Sequence, residues 1–231
     1  MIQPESAIQM ASAPARIAFF DLDRTITRSG TYTPFLLHCA QSNLRSYSGI
    51  PAALWAMGSY LARRTTRAAL KARMLDLSIA GASRTEVSAW AEEFVDRWLR
   101  VQVRPGALEA IQRHRQSGDR VVLATASFDF YAKVFATRLG LDDAITTKSV
   151  WTEADRLCAA VDGENCYGEA KVAAVEKYLL AFPSRPWFVF YTDHHSDFDL
   201  MEMADAGVAV NPSAKLRRLA KEHQFPVVDW G

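Results

Sequence analysis

A doubly wound α/β fold with a helical insertion is the architecture this sequence predicts, and three observations carry the prediction. Short apolar runs recur and end abruptly on polar residues, as Arg16-Ile-Ala-Phe-Phe20 does at Asp21. Such runs fit parallel strands buried on both faces. Helical patterns of ten or so residues separate the later runs, and that alternation implies a parallel sheet with helices packed on it. Residues 28 to 103 break the rhythm, because they contain helical patterns only.

In chain order, residues 1–14 read as a loose tail. They lack a continuous apolar stretch, and Glu5 precedes any basic residue, which argues against a secretory signal. The first strand is Arg16 to Phe20. Within the insertion, Ser83-x-x-Glu86 reads as a capping box, after which Val87, Trp90, Phe94 and Trp98 share one helix face. A helix from Ala107 to Gln116, stopped by Gly118, leads to a strand from Arg120 to Thr125. A second helix, Phe128 to Leu139, stops at Gly140. Lys148 to Tyr167 reads as a small β-ribbon or flap beside the cleft. Helix Glu169 to Leu180, strands Trp187 to Thr192 and Gly207 to Asn211, and helix Ala214 to Glu222 complete the order. The expected division is a tail at 1–14, a core made of 15–27 and 104–231, and a helical cap at 28–103.

Composition supports that division. The chain has 231 residues, 49% hydrophobic and 23% charged, enough to bury one large core. With 11 Gly and 9 Pro it is neither collagen-like nor a disordered chain. Cys39, Cys158 and Cys166 are odd in number and widely spaced, so free thiols in a reducing, cytoplasmic setting are expected rather than a disulfide framework. Net charge is only +1, yet Arg24 through Arg73 contains eight Lys and Arg and no Asp or Glu. The apolar stretch Tyr47 to Ala62 is too short to span a bilayer.

Two segments carry chemistry. Asp21-Leu22-Asp23-Arg24-Thr25 sets two carboxylates at the end of a strand, where they either face one cation or substrate or simply cap a helix N-terminus. Asp193-His194-His195-Ser196-Asp197 follows another strand with two more. Four carboxylates converging at strand ends repel one another unless a hard cation is present, and oxygen donors select Mg²⁺. Thr125, with the amides of Ala126 and Ser127, offers donors to an anion, and Lys171 opens a helix with a positive charge. Taken singly, Thr125 is also compatible with a turn and Lys171 with a solvated helix face. Asp-His-His alone is compatible with a Mn²⁺ phosphodiesterase, which would need further metal-binding acids. His38, His114 and His223 lie in helical patterns and read as surface or packing residues.

The ordered set, Asp-x-Asp-x-Thr, a strand-ending Thr, a Lys and Asp-x-x-x-Asp, resembles the haloacid dehalogenase superfamily over residues 16 to 231. The fragments Asn165-Cys-Tyr-Gly-Glu-Ala-Lys171 and Val210-Asn-Pro-Ser-Ala-Lys-Leu-Arg217 are similar to its branch of phosphoserine and phosphatidylglycerophosphate phosphatases. The resemblance implies a Rossmann-like core with a cap after the first strand, and Mg²⁺-dependent hydrolysis of a phosphomonoester. By it, Asp21 is the nucleophile and Asp23 the general acid and base. Asp21, the carbonyl of Asp23 and Asp193 ligate Mg²⁺, with Asp197 in the outer shell. Thr125, Ala126, Lys171 and Ser196 bind substrate. The position nine residues after the nucleophile, a glutamate in phosphoserine phosphatases, is here Gly30, and this argues against phosphoserine.

The basic and aromatic stretch from Trp55 to Arg73, with Arg63, Arg64, Arg67 and Lys71, suits an anionic membrane surface. A lipid phosphomonoester such as phosphatidylglycerophosphate is therefore the expected substrate, with peripheral contact at the inner membrane face. A small soluble phosphate ester is the alternative, and a non-catalytic phosphate- or Mg²⁺-binding domain a further one. Nucleic acid is not an expected partner.

Overall fold

A computed structural model describes residues 15–41 and 67–231. The tail and the stretch Tyr47 to Ala62, together with Arg63 and Arg64, lie outside the described residues. Helix α1 is Tyr32–Gln41, α2 Arg67–Ser78, α3 Arg84–Gln102, α4 Pro105–Gln116, α5 Asp129–Leu139, α6 Glu169–Leu179, α7 Phe198–Met203 and α8 Ala214–Glu222. The strands are β1 Arg16–Phe20, β2 Arg120–Phe128, β3 Asp143–Trp151, β4 Leu157–Asp162, β5 Trp187–Thr192, β6 Ala206–Val210 and β7 Val227–Val228.

The sheet order is β4-β3-β2-β1-β5-β6-β7. Every pairing is parallel except β3 with β4. From β1 the chain builds outward through β2, then returns to the other side of β1 at β5. The carboxyl ends of β1, β2 and β5 thus flank a topological switch point, where a crevice opens.

Strand β1 explains why the sheet is central. Ile17 and Phe19 point into one apolar layer, with Val175, Leu200 and Leu216 of α6, α7 and α8. Ala18 and Phe20 point into the other, with Ala110, Phe135, Phe94 and Phe35 of α4, α5, α3 and α1. A run without polar alternation is what burial on both faces requires.

Three expectations are corrected. Strand β2 does not stop at Thr125 but continues to Phe128, and its pairing with β3 shifts register between Ala124 and Phe128. Thr125 to Ser127 therefore lie in an irregular stretch of strand, not at the start of a helix. The ribbon at 148–167 is the edge of the main sheet, since β3 begins at Asp143 and pairs with β2. Lys71, grouped with the surface basic cluster, is only 8% exposed.

Both ends of the insertion leave the core side by side. Arg28 N donates to Gln102 O at 2.7 Å, and Arg104 N to Ile26 O at 2.9 Å. At its far end Leu157 N donates to Ala82 O at 2.9 Å, and Gly81 N to Leu157 O at 2.8 Å, docking the insertion on β4. Ser83 caps α3 reciprocally with Glu86. Phe94 then packs on Phe35, Tyr131 and Phe135, so α3 and α5 share one core.

The chain end closes the layer beneath β1. Trp230 lies against Phe20 and Tyr191 and covers Gly106, where a methyl group would sit 2.5 Å from the Trp230 ring. Overpacking of this kind costs about 1–3 kcal/mol. Gly106→Ala is expected to lower the melting temperature by about 2–4 °C per kcal/mol lost. An unchanged thermal transition would show that Trp230 is not packed there.

Candidate active site

Strand β1 delivers Asp21 because the sheet carries it there. Asp21 N donates to Tyr191 O at 3.0 Å, extending the β1–β5 ladder by one residue. The chain then leaves the sheet through a tight turn at Leu22–Ile26, in which Arg24 takes a left-handed conformation (φ 65°). That turn brings Asp23 beside the same cleft. On the neighbouring strand, β5 ends at Thr192 and Asp193 to Asp197 form one short turn ahead of α7.

A cavity of about 600 Å³ opens at these strand ends. Asp21, Asp23, Thr125, Ala126, Lys171, Asp193, Ser196 and Asp197 all line it. So do three stretches of the insertion: Gly30 with Tyr32 to Pro34, Leu70 with Lys71, and Met74.

Lys171 ties the floor together. Its Nζ donates to Asp21 Oδ1 at 2.9 Å and Asp197 Oδ2 at 2.8 Å, and the lysine is 2% exposed. Thr192 Oγ1 donates to the same Asp197 oxygen at 2.8 Å. Burial alone would depress the Lys171 ammonium, but Asp197 and Asp21 outweigh it, and the pKa is raised. The two carboxylates thus favour the charged ammonium.

The carboxylates outnumber it. Burial, opposed by Lys171 and reinforced by Asp197, Asp193 and Asp23, pushes Asp21 up to about 8. Burial, opposed by Arg24 and reinforced by Asp197, pushes Asp193 up to about 7. Asp197 Oδ1 is buried with no hydrogen-bond partner among the described residues. Among those residues, no three His, Cys, Asp or Glu side chains form a ligand set by themselves. An excess of buried negative charge with an unsatisfied carboxylate oxygen nonetheless fits a hard cation that also draws on main-chain oxygen and water.

Asp23 is held differently. Thr31 donates to its Oδ1 from the amide at 2.7 Å and from the hydroxyl at 2.6 Å, and Ser127 Oγ donates to Oδ2 at 3.2 Å. Tyr131 Oη stands 3.3 Å from the Thr31 hydroxyl. Neither contact was legible in the sequence, since Thr31 is eight residues from Asp23 and Ser127 over a hundred. Lys71 is the other residue the sequence misplaced. It lies over the Phe128 ring and donates to Ala126 O and to Asn165 Oδ1.

His194 and His114 have hydrogen-bond partners, whereas His195 Nδ1 is buried without one among the described residues. His194 Nδ1 lies 3.2 Å from Ser196 N, whose proton it accepts, and 2.9 Å from Ser196 Oγ. His114, expected to be a surface or packing residue, bridges Asp119 at 2.7 Å and Tyr191 Oη at 2.9 Å. All three cysteines are free.

A family model for haloacid dehalogenase-like hydrolases matches residues 18–202, a span containing all eight of these cavity residues. The chain belongs to the haloacid dehalogenase-like hydrolases. Phosphoserine phosphatase SerB1 of Mycobacterium tuberculosis is 28% identical over 218 residues, covering 92% of this chain and 70% of that protein. A protein of unknown function from Bordetella pertussis Tohama I has a crystal structure that superposes with a TM-score of 0.84. It is 25% identical, over 95% of this chain and 100% of that one. A phospho-aspartyl intermediate analogue of phosphoserine phosphatase superposes with a TM-score of 0.64 at 16% identity, covering 95% of each chain, a likeness of fold.

In this hydrolase the raised Asp193 pKa has a thermodynamic sign. Its folded value of about 7 exceeds the ordinary 3.8, so between these values the folded state binds a proton that the unfolded chain releases. The stability so contributed is present below about pH 4 and is lost as pH rises toward 7. In chelator, Asp193→Asn should therefore melt above the wild type at pH 7.5, with the gap closing toward pH 5. Millimolar Mg²⁺ should raise the wild-type transition and leave that of the variant in place. A gap independent of pH would contradict the assignment.

Proposed function

We propose that this chain is a phosphomonoester hydrolase working through a phosphorylated Asp21. The observation that carries the reading is the pair of carboxylates with separate supports in one cavity: Asp21 fixed by Lys171, Asp23 by Thr31 and Ser127. Two carboxylates in two environments suit two jobs, nucleophile and proton carrier. The likeness to a relative named for phosphoserine hydrolysis also supports it.

In this reading an Asp21 oxygen bonds to phosphorus as the alkoxide departs, and Asp23 gives that alkoxide its proton. Asp23 then takes a proton from the water that attacks phosphorus, releasing phosphate and restoring Asp21. Lys171 fixes the direction of Asp21 through Oδ1 and opposes charge on the phosphoryl oxygens, with Thr125 Oγ, the Ala126 amide and Ser196 as further donors. Asp21, the main-chain carbonyl of Asp23 and Asp193 would hold Mg²⁺, with Asp197 behind them. The ion would neutralise negative charge on the phosphoryl group. Residues 28 to 103 act as a cap that selects the alcohol, since Gly30, Tyr32, Leu70, Lys71 and Met74 all face the cavity.

A small soluble ester is the substrate carried forward. The lipid expectation rested on Trp55, Arg63, Arg64 and Arg67, whose side chains lie outside the described residues, on Lys71, which is buried, and on Arg73, which is exposed and pairs with Asp76. No helix among the described residues is long and apolar enough to cross a membrane.

Hydrolysis of para-nitrophenyl phosphate with Mg²⁺ tests the reading. EDTA should abolish it and excess Mg²⁺ restore it. Asp21→Asn should remove all turnover, and Asp23→Asn should lower it by about 10²–10⁴, the range of a general acid–base group. Turnover surviving in Asp21→Asn would rule out the aspartyl-phosphate route.

A further inference from the structure

Resting on the phosphatase reading, the charge around the cavity can be taken one step further, to the class of alcohol. The acids that line it are Asp21, Asp23, Asp193 and Asp197. Asp21 and Asp197 are held by Lys171 and Asp23 by Thr31 and Ser127, while Asp193 stands beside them at the end of β5. The opposite wall comes from the insertion, and its one charged lining residue among those described is Lys71.

The sequence closes the account of this wall. From Arg24 to Arg73 there is no Asp or Glu, so residues 42–66 hold no carboxylate to bring to it. An ammonium group on the leaving alcohol would meet no acid on the insertion wall. A negative charge would meet Lys71.

The position of Lys71 is built. Its own carbonyl accepts the Tyr32 hydroxyl at 2.7 Å, joining α2 to the start of α1. Its Nζ donates to Ala126 O and, at 3.0 Å, to Asn165 Oδ1, one residue from the Thr125 hydroxyl that faces the phosphoryl site. The ammonium is thus held at the junction of insertion and core, where the alcohol portion of a bound ester would lie. A buried cation of this kind recognises a carboxylate or phosphate with charge-assisted hydrogen bonds, which are stronger than neutral ones.

We infer that the substrate is a phosphomonoester whose leaving alcohol carries a second negative charge, a carboxylate or a phosphate, and that Lys71 is the residue that selects it. An ester whose alcohol carries an ammonium and no second anion, such as phosphoethanolamine, is disfavoured by the same wall. The second anion belongs either to a small metabolite or to the phosphodiester of a lipid headgroup.

Three esters differing only at the far end of a two-carbon alcohol test this: 2-phosphoglycolate, 2-hydroxyethyl phosphate and phosphoethanolamine. With the full chain and Mg²⁺, kcat/KM should fall in that order, with phosphoglycolate ahead of phosphoethanolamine by at least about tenfold, roughly one charge-assisted hydrogen bond. Lys71→Met should compress the spread to within about threefold, and Lys71→Arg should preserve the order. Phosphatidylglycerophosphate in phosphatidylcholine vesicles is a second arm. Turnover of the vesicle substrate that far exceeds that of phosphoglycolate, and depends on Lys71, places the anion on a lipid; the reverse places it on a soluble ester. A wild type that prefers phosphoethanolamine overturns the inference even if no variant folds, and so does a spread that Lys71→Met leaves intact. Failure to cleave para-nitrophenyl phosphate would instead overturn the phosphatase reading itself.

Discussion

Lys171 stands between Asp21 and Asp197 with almost no contact with water, and the rest of the cleft is arranged around that buried triad. Removing three charges from solvent is expensive, and the mutual attraction offsets this only if the geometry is tight and the other lone pairs are satisfied. Each member comes from a different part of the fold: the end of β1, the first turn of α6 and the turn after β5. The triad therefore works as an alignment device, since it forms only when β1 and β5 are paired in register and α6 is packed on their apolar layer. Thr192 extends it by donating to Asp197. Loss of one partner would leave a buried charge alone, at a cost of about 3–5 kcal/mol.

The same triad leaves the floor with more negative than positive charge, and that imbalance is where structure becomes chemistry. Asp21 and Asp193 hold protons more tightly than ordinary carboxylates do, because burial and each other's proximity oppose ionisation. A site of this kind has high affinity for anything that brings concentrated positive charge. Asp23 instead turns its carboxylate toward Thr31 and Ser127. The first turn thus separates two acids that are only two residues apart in sequence.

Much of this was legible in the chain because the deciding signals were local. Strands β1 and β5 are apolar runs ended by the residues that use the cleft, and the limits of α8 follow from Ser213 and the amphipathic pattern behind it. The capping box at Ser83 needs four residues to recognise and four to form. The eight expected site residues are neighbours because they lie near the carboxyl ends of β1, β2 and β5 or at the opening of α6. Long-range satisfaction of polar groups was not legible. Residues 143–147 of β3 look too polar for a strand, yet Thr147 is buried because its hydroxyl pairs with Ala126 O and Asn165. Lys71 reads as surface from its basic neighbours and is buried because a ring face and two oxygens await it.

The hold that Thr31 has on Asp23 ties the proposed proton carrier to the insertion, while the triad belongs wholly to the core. Local opening of α1 would free Asp23 without disturbing β1, β5 or Lys171. In the proposed mechanism such a molecule keeps its far-ultraviolet signature but cannot complete a cycle. On gentle heating, catalytic competence should then decay ahead of secondary structure, and the working lifetime of the enzyme would be set by fraying of a few residues at Thr31 rather than by the stability of its sheet.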